Sequence, residues 1–337
     1  MTRLITLIVM MGVLSACSSN EYKNSDHHSG GRFYNHADEV PHSRWAALKW
    51  IMTRKPGFWP EWRENTNQPV LAGPLKAGEL SATFINHATF LLQIKNINCL
   101  TDPIFSERAS PFSWLGPKRV RAPGLLLKDL PHIDCVVISH NHYDHMDKNS
   151  IHDFAEKDNP IFIVPLGNAN LVKSFGAHKV VELDWWQQTP LPDGETTVTL
   201  VPAQHWSARG LFDRNQALWG GFVIRSPSLK IYFAGDTGYG NFFSDIKKKL
   251  GPMDVSFLPI GAYLPKWLMQ HHHMNPEEAV QAHVDLGSQL SLAMHFGTFQ
   301  LSDEGIDDPV RELQVALEKR GFNKDRFQAN SNGKTIK

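Results

Sequence analysis

The stretch Ser139-His140-Asn141-His142-Tyr143-Asp144-His145 decides how the rest of this 337-residue chain is interpreted. It places three imidazoles and a carboxylate within six residues, directly after an apolar run that is typical of a buried strand. Imidazole and carboxylate groups are zinc ligands, and a catalytic zinc site keeps one position open for water. On an extended loop, His140 and His142 can converge on one ion while Asp144 and His145 turn to a second. The stretch therefore predicts a metal centre at a strand end, where active-site loops are found.

The composition agrees with a large folded metalloprotein. Lys and Arg number 34 and Asp and Glu number 34, so the formal net charge is zero. This balance argues against a nucleic-acid-binding protein and against purely electrostatic attachment to an anionic membrane. Hydrophobic residues make up 42% and charged residues 20%, which favours a large core in one domain or in two fused similar halves. The 17 histidines point weakly toward a metal site.

Three later segments continue the metal pattern, each after a strand-like run. They are Pro202-Ala203-Gln204-His205-Trp206, Phe233-Ala234-Gly235-Asp236-Thr237-Gly238 and Ala293-Met294-His295-Phe296-Gly297-Thr298. Together with the His-x-His-x-Asp-His pattern of the first stretch, this order resembles the signature of the metallo-β-lactamase superfamily. The resemblance implies an α/β fold, the αββα sandwich of two mixed β-sheets flanked by helices.

The same resemblance implies a binuclear metal site. The first ion would be held by His140, His142 and His205, the second by Asp144, His145 and His295, with Asp236 bridging both. Two Zn²⁺ ions are expected, although these ligand types also suit other divalent metals. Two neighbouring ions lower the pKa of a bridging water and clamp the attacking and leaving oxygens of a displacement.

Segments outside the metal pattern narrow the resemblance further. Residues 100–111, 116–119, 258–263 and 273–279 look like the N-acylphosphatidylethanolamine-hydrolysing phospholipase D family, and the similarity extends from about Ser43 to Gln300. It implies a phosphodiester hydrolase in which a hydroxide bridging the ions attacks phosphorus, so that N-acylethanolamine leaves and phosphatidic acid remains. The chain departs from the family at its N-terminus and in details such as Met274-Asn275, which leaves the substrate less determined than the fold.

Two of the ligands and several neighbouring residues are predicted to take part in catalysis or substrate binding. Asp144 and Asp236 are the predicted catalytic carboxylates, and His273 is expected to orient the substrate or protonate the leaving alkoxide. Gln204 and Tyr263 are expected to contact the substrate. The neighbours of His273, His271 and His272, are expected to be loop residues.

Four further residues lie in or beside predicted strands. His87 is expected to be an ordinary turn residue, with a position near the metals as the alternative. Asp102 follows a strand and could orient a metal-binding histidine. Cys99 and Cys135 are expected to be small buried residues, and a disulfide between them is possible if their strands are neighbours in the sheet.

The N-terminus reads as a processing signal. A basic start and an apolar run too short to span a bilayer lead to Leu14-Ser15-Ala16-Cys17, which resembles the bacterial lipobox. We expect a signal peptide over 1–16, a lipidated tether over 17–42 that begins at Cys17, and a hydrolase domain over 43–337. The polar composition of the tether predicts flexibility, with His27 and His28 expected to be solvated and metal binding by them as the alternative. Acylated Cys17 would place the protein in the bacterial cell envelope, on the outer membrane facing the periplasm.

A segment rich in tryptophan and basic residues follows the tether. Trp45, Leu48 and Met52 fall at helical spacing, which predicts an amphipathic helix that contacts a membrane interface or packs on the domain core. Further along, strands are predicted at 82–86, 89–94, 98–102, 134–139, 161–164, 196–201, 221–225, 230–234, 255–259 and 291–295. Helices are predicted from the capping sequence Asn275-Pro276-Glu277-Glu278 to about Leu286, and over 309–319.

Two other functions are compatible with these residues. A lactonase or phosphodiesterase acting on a soluble substrate would use the same ligands but a polar, closed pocket. A non-catalytic lipoprotein would use the domain to bind lipid, although degenerate domains of this kind usually lose ligands. We therefore expect an enzyme whose partner is a membrane phospholipid and not a nucleic acid.

Overall fold

Two seven-stranded mixed sheets stack face to face in the computed structural model, which describes residues 22–37, 44–73 and 75–337. The first sheet has the spatial order β16 (Thr335–Ile336), β3 (Leu80–Asn86), β4 (Thr89–Ile94), β5 (Ile97–Thr101), β6 (Cys135–Val137), β7 (Ile161–Pro165) and β8 (Lys179–Leu183). The second has the order β9 (Gln188–Pro190), β10 (Thr197–Val201), β11 (Gly221–Ser226), β12 (Leu229–Phe233), β13 (Val255–Pro259), β14 (Leu290–Met294) and β15 (Phe327–Gln328).

The two sheets are built alike. In each, the first four strands in these orders pair antiparallel and the remaining pairs are parallel. One apolar cluster fills the space between the sheets, where the rings of Phe90 and Phe257 lie 4.5 Å apart. The chain therefore forms one sandwich made of two similar halves, which share a single core.

Helices cover both outer faces. On the first sheet, α2 (Lys148–Lys157) and α3 (Ala169–Ser174) enclose a second apolar cluster. On the second sheet lie α4 (Phe242–Leu250), α6 (Pro276–Leu286) and α7 (Asp308–Lys319). The remaining helices are α1 (Arg44–Thr53) and the short α5 (Lys266–Met269). The predicted αββα sandwich is confirmed.

Helix α6 begins and ends where its sequence predicts. The Asn275 side chain accepts a hydrogen bond from the Glu278 backbone N–H, and the Glu278 side chain accepts one from the Asn275 backbone N–H. The two bonds satisfy two N–H groups that would otherwise lack a partner at the start of the helix. Gly287 ends the helix at φ 62°, a conformation that favours glycine. Helix α7 starts one residue before its predicted position.

The two cysteines pair across neighbouring strands. Cys99 and Cys135 are directly opposite in the parallel pair β5–β6, and their sulfur atoms form a disulfide. Both residues are fully buried. The cysteines are therefore small buried residues, as expected, and they also form the disulfide that the sequence allowed.

Residues 22–37, which we call the N-terminal hairpin segment, pack against the domain. They contain the hairpin of β1 (His28–Ser29) and β2 (Arg32–Phe33). His27, His28 and Phe33 are at most 5% exposed, and the imidazole of His27 stacks on Trp185 at 4.4 Å. The prediction of a flexible tether with solvated histidines is therefore wrong for these residues, because aromatic contacts offset the cost of ordering a polar segment. Cys17 and the predicted signal peptide lie outside the described residues.

The tryptophan-rich segment does form a helix, but its apolar side chains face outward. On α1, Trp45 and Met52 are each 77% exposed and Leu48 is 44% exposed. The Trp50 indole, in contrast, donates to Asp303 Oδ2 at 2.6 Å, so one tryptophan of α1 contacts the domain, while contact of the helix with a membrane interface stays a prediction. Among residues 22–37, 44–73 and 75–337, no helix is both long and apolar enough to cross a bilayer.

Candidate metal centre

The ligand-type side chains lie on loops that leave the ends of strands in both sheets. Residues 138–147, which we call the histidine loop, connect β6 to α2. His205 follows β10, Asp236 follows β12 and His295 directly follows β14. Because these strand ends meet at one edge of the sandwich, residues far apart in sequence converge there.

Three imidazoles form the first cluster. His140 Nε2 lies 2.8 Å from His142 Nδ1, and His205 Nε2 lies 3.2 Å from the same atom. Burial, as the largest cause, lowers the pKa of His142 to about 4 and holds the pKa values of His140 and His205 well below the usual value. Neutral imidazoles whose nitrogens face one another present lone pairs to a shared cation.

Carboxylates join the second cluster. Asp144 Oδ2 lies 3.3 Å from His145 Nε2 and 3.4 Å from His295 Nε2. Asp236 Oδ2 lies 3.2 Å from His145 Nε2, 3.0 Å from His295 Nε2 and 3.9 Å from His205 Nε2. One oxygen of Asp236 therefore reaches both clusters, which is the position the sequence predicted for a bridging ligand.

The donor set fits two cations. Asp236 Oδ1, His142 Nε2, His145 Nε2 and His295 Nε2 are buried and make no hydrogen bond within the described part of the chain. Native proteins rarely leave buried polar atoms unpaired, and a metal ion satisfies them. The seven predicted ligands thus come together in two adjoining groups compatible with a binuclear metal site.

In the second cluster, the carboxylates and the imidazoles shift one another's pKa values. Burial alone would raise the pKa values of Asp144 and Asp236, but the adjacent imidazolium of His145 holds them well below the usual value. Burial alone would lower the pKa of His295, but the Asp236 and Asp144 carboxylates raise it to about 9. Such a cluster attracts positive charge, and metal ions would take the place of the imidazole protons.

Asp102 positions ligands from both clusters. Its carboxylate accepts hydrogen bonds of 2.6 Å from His145 Nδ1, from the Ser139 backbone and from the Ser139 hydroxyl. The Ser139 oxygen lies 2.9 Å from His140 Nδ1. One buried carboxylate therefore orients His145 directly and His140 through Ser139. The structure confirms the expectation that Asp102 orients a histidine of the site.

His87 is part of the site, so its interpretation as an ordinary turn residue is wrong. Its Nε2 donates to Asp144 Oδ2 at 3.0 Å, and its carbonyl accepts from the His295 backbone at 2.7 Å. Burial lowers the pKa of His87 to about 3, which keeps the imidazole neutral. The turn that carries it, at φ 47°, brings β3–β4 against the ligand strands. No sequence signal distinguishes such a turn from a solvent-exposed one.

The loop after α5 contributes three consecutive histidines in different ways. His273 Nδ1 lies 3.8 Å from Asp236 Oδ2, and burial lowers its pKa to about 4. The His272 carbonyl accepts from His205 Nδ1 at 3.0 Å, and the His271 carbonyl accepts from Gln204 at 3.0 Å. His271 and His272 are therefore loop residues, as expected, but their carbonyls hold residues of the site in place.

Gln204 and Tyr263 are placed beside the site rather than in it. The Gln204 amide is directed at the His271 carbonyl. Tyr263 is 1% exposed, and burial, followed by Glu312, raises the pKa of its hydroxyl. Within residues 75–337 neither side chain makes a hydrogen bond to one of the seven predicted metal ligands, and a role in substrate contact stays a prediction.

Asn35 and Arg209 support the site without having been predicted. Asn35 Nδ2 donates to the His205 carbonyl at 2.9 Å, and Asn35 Oδ1 accepts from the His205 backbone and from the Trp219 indole, each at 3.1 Å. Arg209 Nη1 donates to the carbonyls of Asn141 at 2.9 Å and Met146 at 2.8 Å. Both contacts join segments distant in sequence, which motif and composition do not reveal.

Comparison with known proteins agrees with this geometry. Residues 97–296 match the family described as a beta-lactamase superfamily domain. An uncharacterised protein of Mycobacterium tuberculosis is 42% identical over 269 residues, covering 76% of this chain and 71% of that protein. N-acyl-phosphatidylethanolamine-hydrolyzing phospholipase D 1 of Caenorhabditis elegans is 38% identical over 256 residues, covering 73% of this chain and 72% of that enzyme.

Solved structures share the fold. An isothiocyanate hydrolase from Delia radicum gut bacteria superposes with a TM-score of 0.59 at 22% identity, over 76% of this chain and 98% of that one. Identity at this level shows the fold alone. The sequence matches, the sandwich and the converging histidines and aspartates lead to one assignment: the chain is a metal-dependent hydrolase that belongs to the metallo-β-lactamase superfamily and, within it, to the family of the N-acyl-phosphatidylethanolamine-hydrolysing phospholipases D.

Proposed function

We propose that this chain is a phospholipase D-type phosphodiester hydrolase that converts N-acylphosphatidylethanolamine, or a related membrane phospholipid, to phosphatidic acid and the headgroup alcohol. The observation that carries this proposal is the site itself, two ligand clusters joined by one oxygen of Asp236, in a chain 38% identical to an enzyme named for that reaction. A site of this kind suits a displacement at phosphorus, which needs charge stabilisation on several oxygens.

The metal ligands would be those of the two clusters, with Zn²⁺ as the proposed ion. His140, His142 and His205 would hold one ion and Asp144, His145 and His295 the other, with Asp236 shared. When bound, two such ions lower the pKa of a water molecule and stabilise negative charge on the phosphoryl oxygens.

The protein's own groups prepare the site for this chemistry. Asp144 and Asp236 stay ionised because His145 holds their pKa values low, so both are available as anionic ligands. Asp102 fixes the Nδ1–H tautomer of His145 and leaves its Nε2 facing the two carboxylates. These groups are ordered before substrate arrives, which lowers the cost of reorganisation during the reaction.

His273 is the residue proposed to act on the leaving group. Its side chain is 14% exposed, which is more than that of Asp236 at 2%, so it lies on the open side of the cluster. Burial keeps it neutral near pH 7. A neutral imidazole at this position can donate a hydrogen bond from its ring N–H to the oxygen of the departing alcohol and so orient it.

Exposed apolar side chains support a substrate that is reached from a lipid surface. Those more than half exposed include Trp45, Ile51 and Met52 on α1, and Trp114, Leu211 and Phe212 on loops. Tryptophan is favoured at membrane interfaces, and exposing large apolar side chains to water is costly. Attachment through acylated Cys17 would keep them at the membrane.

A location in the bacterial cell envelope, on the outer membrane facing the periplasm, belongs to the same proposal. The lipobox-like sequence at Cys17 is its basis. The disulfide between Cys99 and Cys135 supports it, since disulfides persist in oxidising compartments.

The test is incubation of the zinc-loaded full chain with vesicles of several glycerophospholipids, including N-acylphosphatidylethanolamine, followed by mass spectrometry of the products. Phosphatidic acid together with N-acylethanolamine is the expected result, and an Asp236→Ala variant serves as the inactive control. Diacylglycerol or lysolipid would place the cleavage at another bond. Hydrolysis of soluble lactones or phosphodiesters without any cleavage of phospholipid would overturn the proposal.

A further inference from the structure

The N-terminal hairpin segment carries a further group of side chains of metal-ligand type, separate from the centre described above. Asp26, His27 and His36 each offer one ligand atom, and these atoms lie within 4.8 Å of one another. The Asp26 carboxylate lies between the two imidazoles, with Oδ1 2.7 Å from His27 Nδ1 and Oδ2 3.3 Å from His36 Nε2. We propose that these three side chains hold a third divalent metal ion, of the zinc type, which fastens the segment in its docked conformation.

The orientation of His27 is the strongest observation for this site. Its Nε2 lies 2.7 Å from Asp184 Oδ1, a carboxylate of the domain. When Nε2–H donates to that carboxylate, the lone pair of Nδ1 points toward Asp26 and His36. Metal-binding histidines almost always have such a carboxylate or carbonyl on the far nitrogen, which fixes the tautomer and makes the ligand more basic.

Packing holds the two imidazoles in place. The ring of Trp185 stacks on His27 at 4.4 Å and meets His36 edge-on at 5.0 Å. His27 is 5% exposed, whereas the side chains of His36 and Asp26 are 46% and 76% exposed. The site is therefore rigid on its inner side and open on its outer side, so an ion can enter and keep a water as fourth ligand.

The charge of the cluster also favours a cation. Two carboxylates approach one imidazole, and the side-chain hydrogen bond to His27 is the main cause that lowers the pKa of Asp26. Burial alone would lower the pKa of His27, but its bonds to Asp184 and Asp26 raise it. In the metal-free protein, a proton on His27 supplies the positive charge between the two carboxylates. A divalent ion would supply two positive charges, enough to balance both carboxylates.

The position of the ligands explains what the ion would do. Asp26 and His27 precede β1 and His36 follows β2, so one ion would close the base of the hairpin. The residue before His36 is Asn35, whose side chain bonds both backbone groups of His205. Closing the hairpin would therefore fix the support of a ligand-type residue of the main centre. The site is structural and does not depend on which substrate the main centre takes.

The test counts zinc bound to the full chain. The protein is stripped with a chelator, reloaded with Zn²⁺, passed through a desalting column in a weakly chelating buffer, and measured by plasma emission spectroscopy. Three ions per chain are expected for the wild type. His36→Gln and Asp26→Asn should each bind two, with the circular dichroism spectrum unchanged, because both side chains are partly exposed.

His132→Gln is the matched control. His132 also lies between two carboxylates, 3.2 Å from Asp158 and 3.7 Å from Asp134, but it belongs to none of the metal-ligating groups found among the described residues. This variant should retain three ions. Asp184→Asn removes the charge behind His27 and should weaken the third ion about 10- to 100-fold in a Co²⁺ titration followed by absorption.

Two results would overturn the proposal. One is a wild type that retains only two ions under these conditions, which would leave Asp26, His27 and His36 as an ion-pair cluster. The other is three ions retained in both His36→Gln and Asp26→Asn. Neither result bears on phospholipid hydrolysis, so failure of this proposal and failure of the proposed function remain distinguishable.

Discussion

The histidine loop and the N-terminal hairpin segment both contact His205, but only the histidine loop can be recognised from the sequence as part of a metal site. The histidine loop, residues 138–147, carries a dense run of ligand-type residues after a buried strand. The hairpin segment, residues 22–37, is polar and resembles a linker, but Asn35 bonds both backbone groups of His205. His205 in turn lies 3.2 Å from His142 of the histidine loop. A site is thus built from side chains that a motif reveals and from supports that it does not.

The difference lies in how each region is held. The histidine loop is held by the Asp102 carboxylate, which accepts hydrogen bonds from Ser139 and His145. The hairpin segment is fixed by a few buried residues, among them Phe33 at 2% exposure and His27 stacked on Trp185. Average composition hides such anchors, because a small number of buried aromatic contacts is enough to dock a short polar segment.

The largest effect is expected for the side chain shared by both clusters. Asp236→Ala removes the oxygen that reaches both clusters and leaves His145 and His295 with Asp144 as the remaining carboxylate between them. Hydrolysis should be abolished and the bound metal should fall, as measured by turnover of phospholipid vesicles and by plasma emission spectroscopy. Asp129→Ala, an exposed position, is the control. Full metal content in Asp236→Ala would contradict the bridging role.

A smaller effect is expected where the histidine loop is supported. In Asp102→Asn the side chain keeps one oxygen for three donors, the Ser139 backbone, the Ser139 hydroxyl and His145 Nδ1. Metal affinity should fall about 10- to 100-fold, as it does when partners behind metal-binding histidines are changed. Competition with a chromophoric chelator measures it. Unchanged affinity would show that the loop holds its ligands without Asp102.

The sequence predicted the parts of the fold that local patterns determine. Helix α6 follows from Asn275, Pro276 and Gly287, and strand β13 from its apolar run. Helices α2, α3 and α4 are not among the predicted helices, although Asp147 caps α2 and Ile151 and Phe154 form its buried face. The short edge strands β9, β15 and β16, at two or three residues each, exist only because longer strands lie beside them.

The candidate site divides in the same way. The seven ligand-type residues were found because each stands in a recognisable segment after a strand. For His87 the sequence predicts an ordinary turn residue, and for the segment around Asn35 it predicts a tether. Both act through contacts with residues more than fifty positions away, 57 in the case of His87 and Asp144. Such contacts depend on how the sheets stack, which no local pattern encodes.

A third variant tests whether the hairpin segment supports the metal centre. Asn35→Ala leaves the buried N–H and carbonyl of the His205 backbone without their partner, while the Trp219 indole keeps its second acceptor, the Ala203 carbonyl. The free energy of unfolding should fall by about 1–3 kcal/mol, the usual cost of unpaired buried polar groups. Metal affinity should fall as well, though by less than in Asp102→Asn, because the His205 side chain keeps its bond to the His272 carbonyl.

The matched control for that variant is Asn24→Ala, an exposed asparagine in the same segment. Denaturant unfolding and chelator competition should both give wild-type values for it. If Asn35→Ala lost stability but kept its metal affinity, the segment would be a structural cover and no part of the metal centre.

The smallest effect is expected at the outer end of the segment, where docking can be weakened without touching His205. The Tyr22 hydroxyl donates to Glu182 Oε2 at 3.2 Å and accepts from the Gly167 backbone at 2.9 Å, so it joins the segment to the domain. Tyr22→Phe should cost about 0.5–1.5 kcal/mol of docking, seen as faster hydrogen exchange over residues 22–37. Tyr34→Phe is the control, because the Tyr34 hydroxyl bonds Ser25 within the segment. If Tyr22→Phe speeds exchange there and also lowers zinc affinity at the main centre, the two regions form one cooperative unit. If exchange alone changes, the support reaches His205 through Asn35 and not through docking of the whole segment.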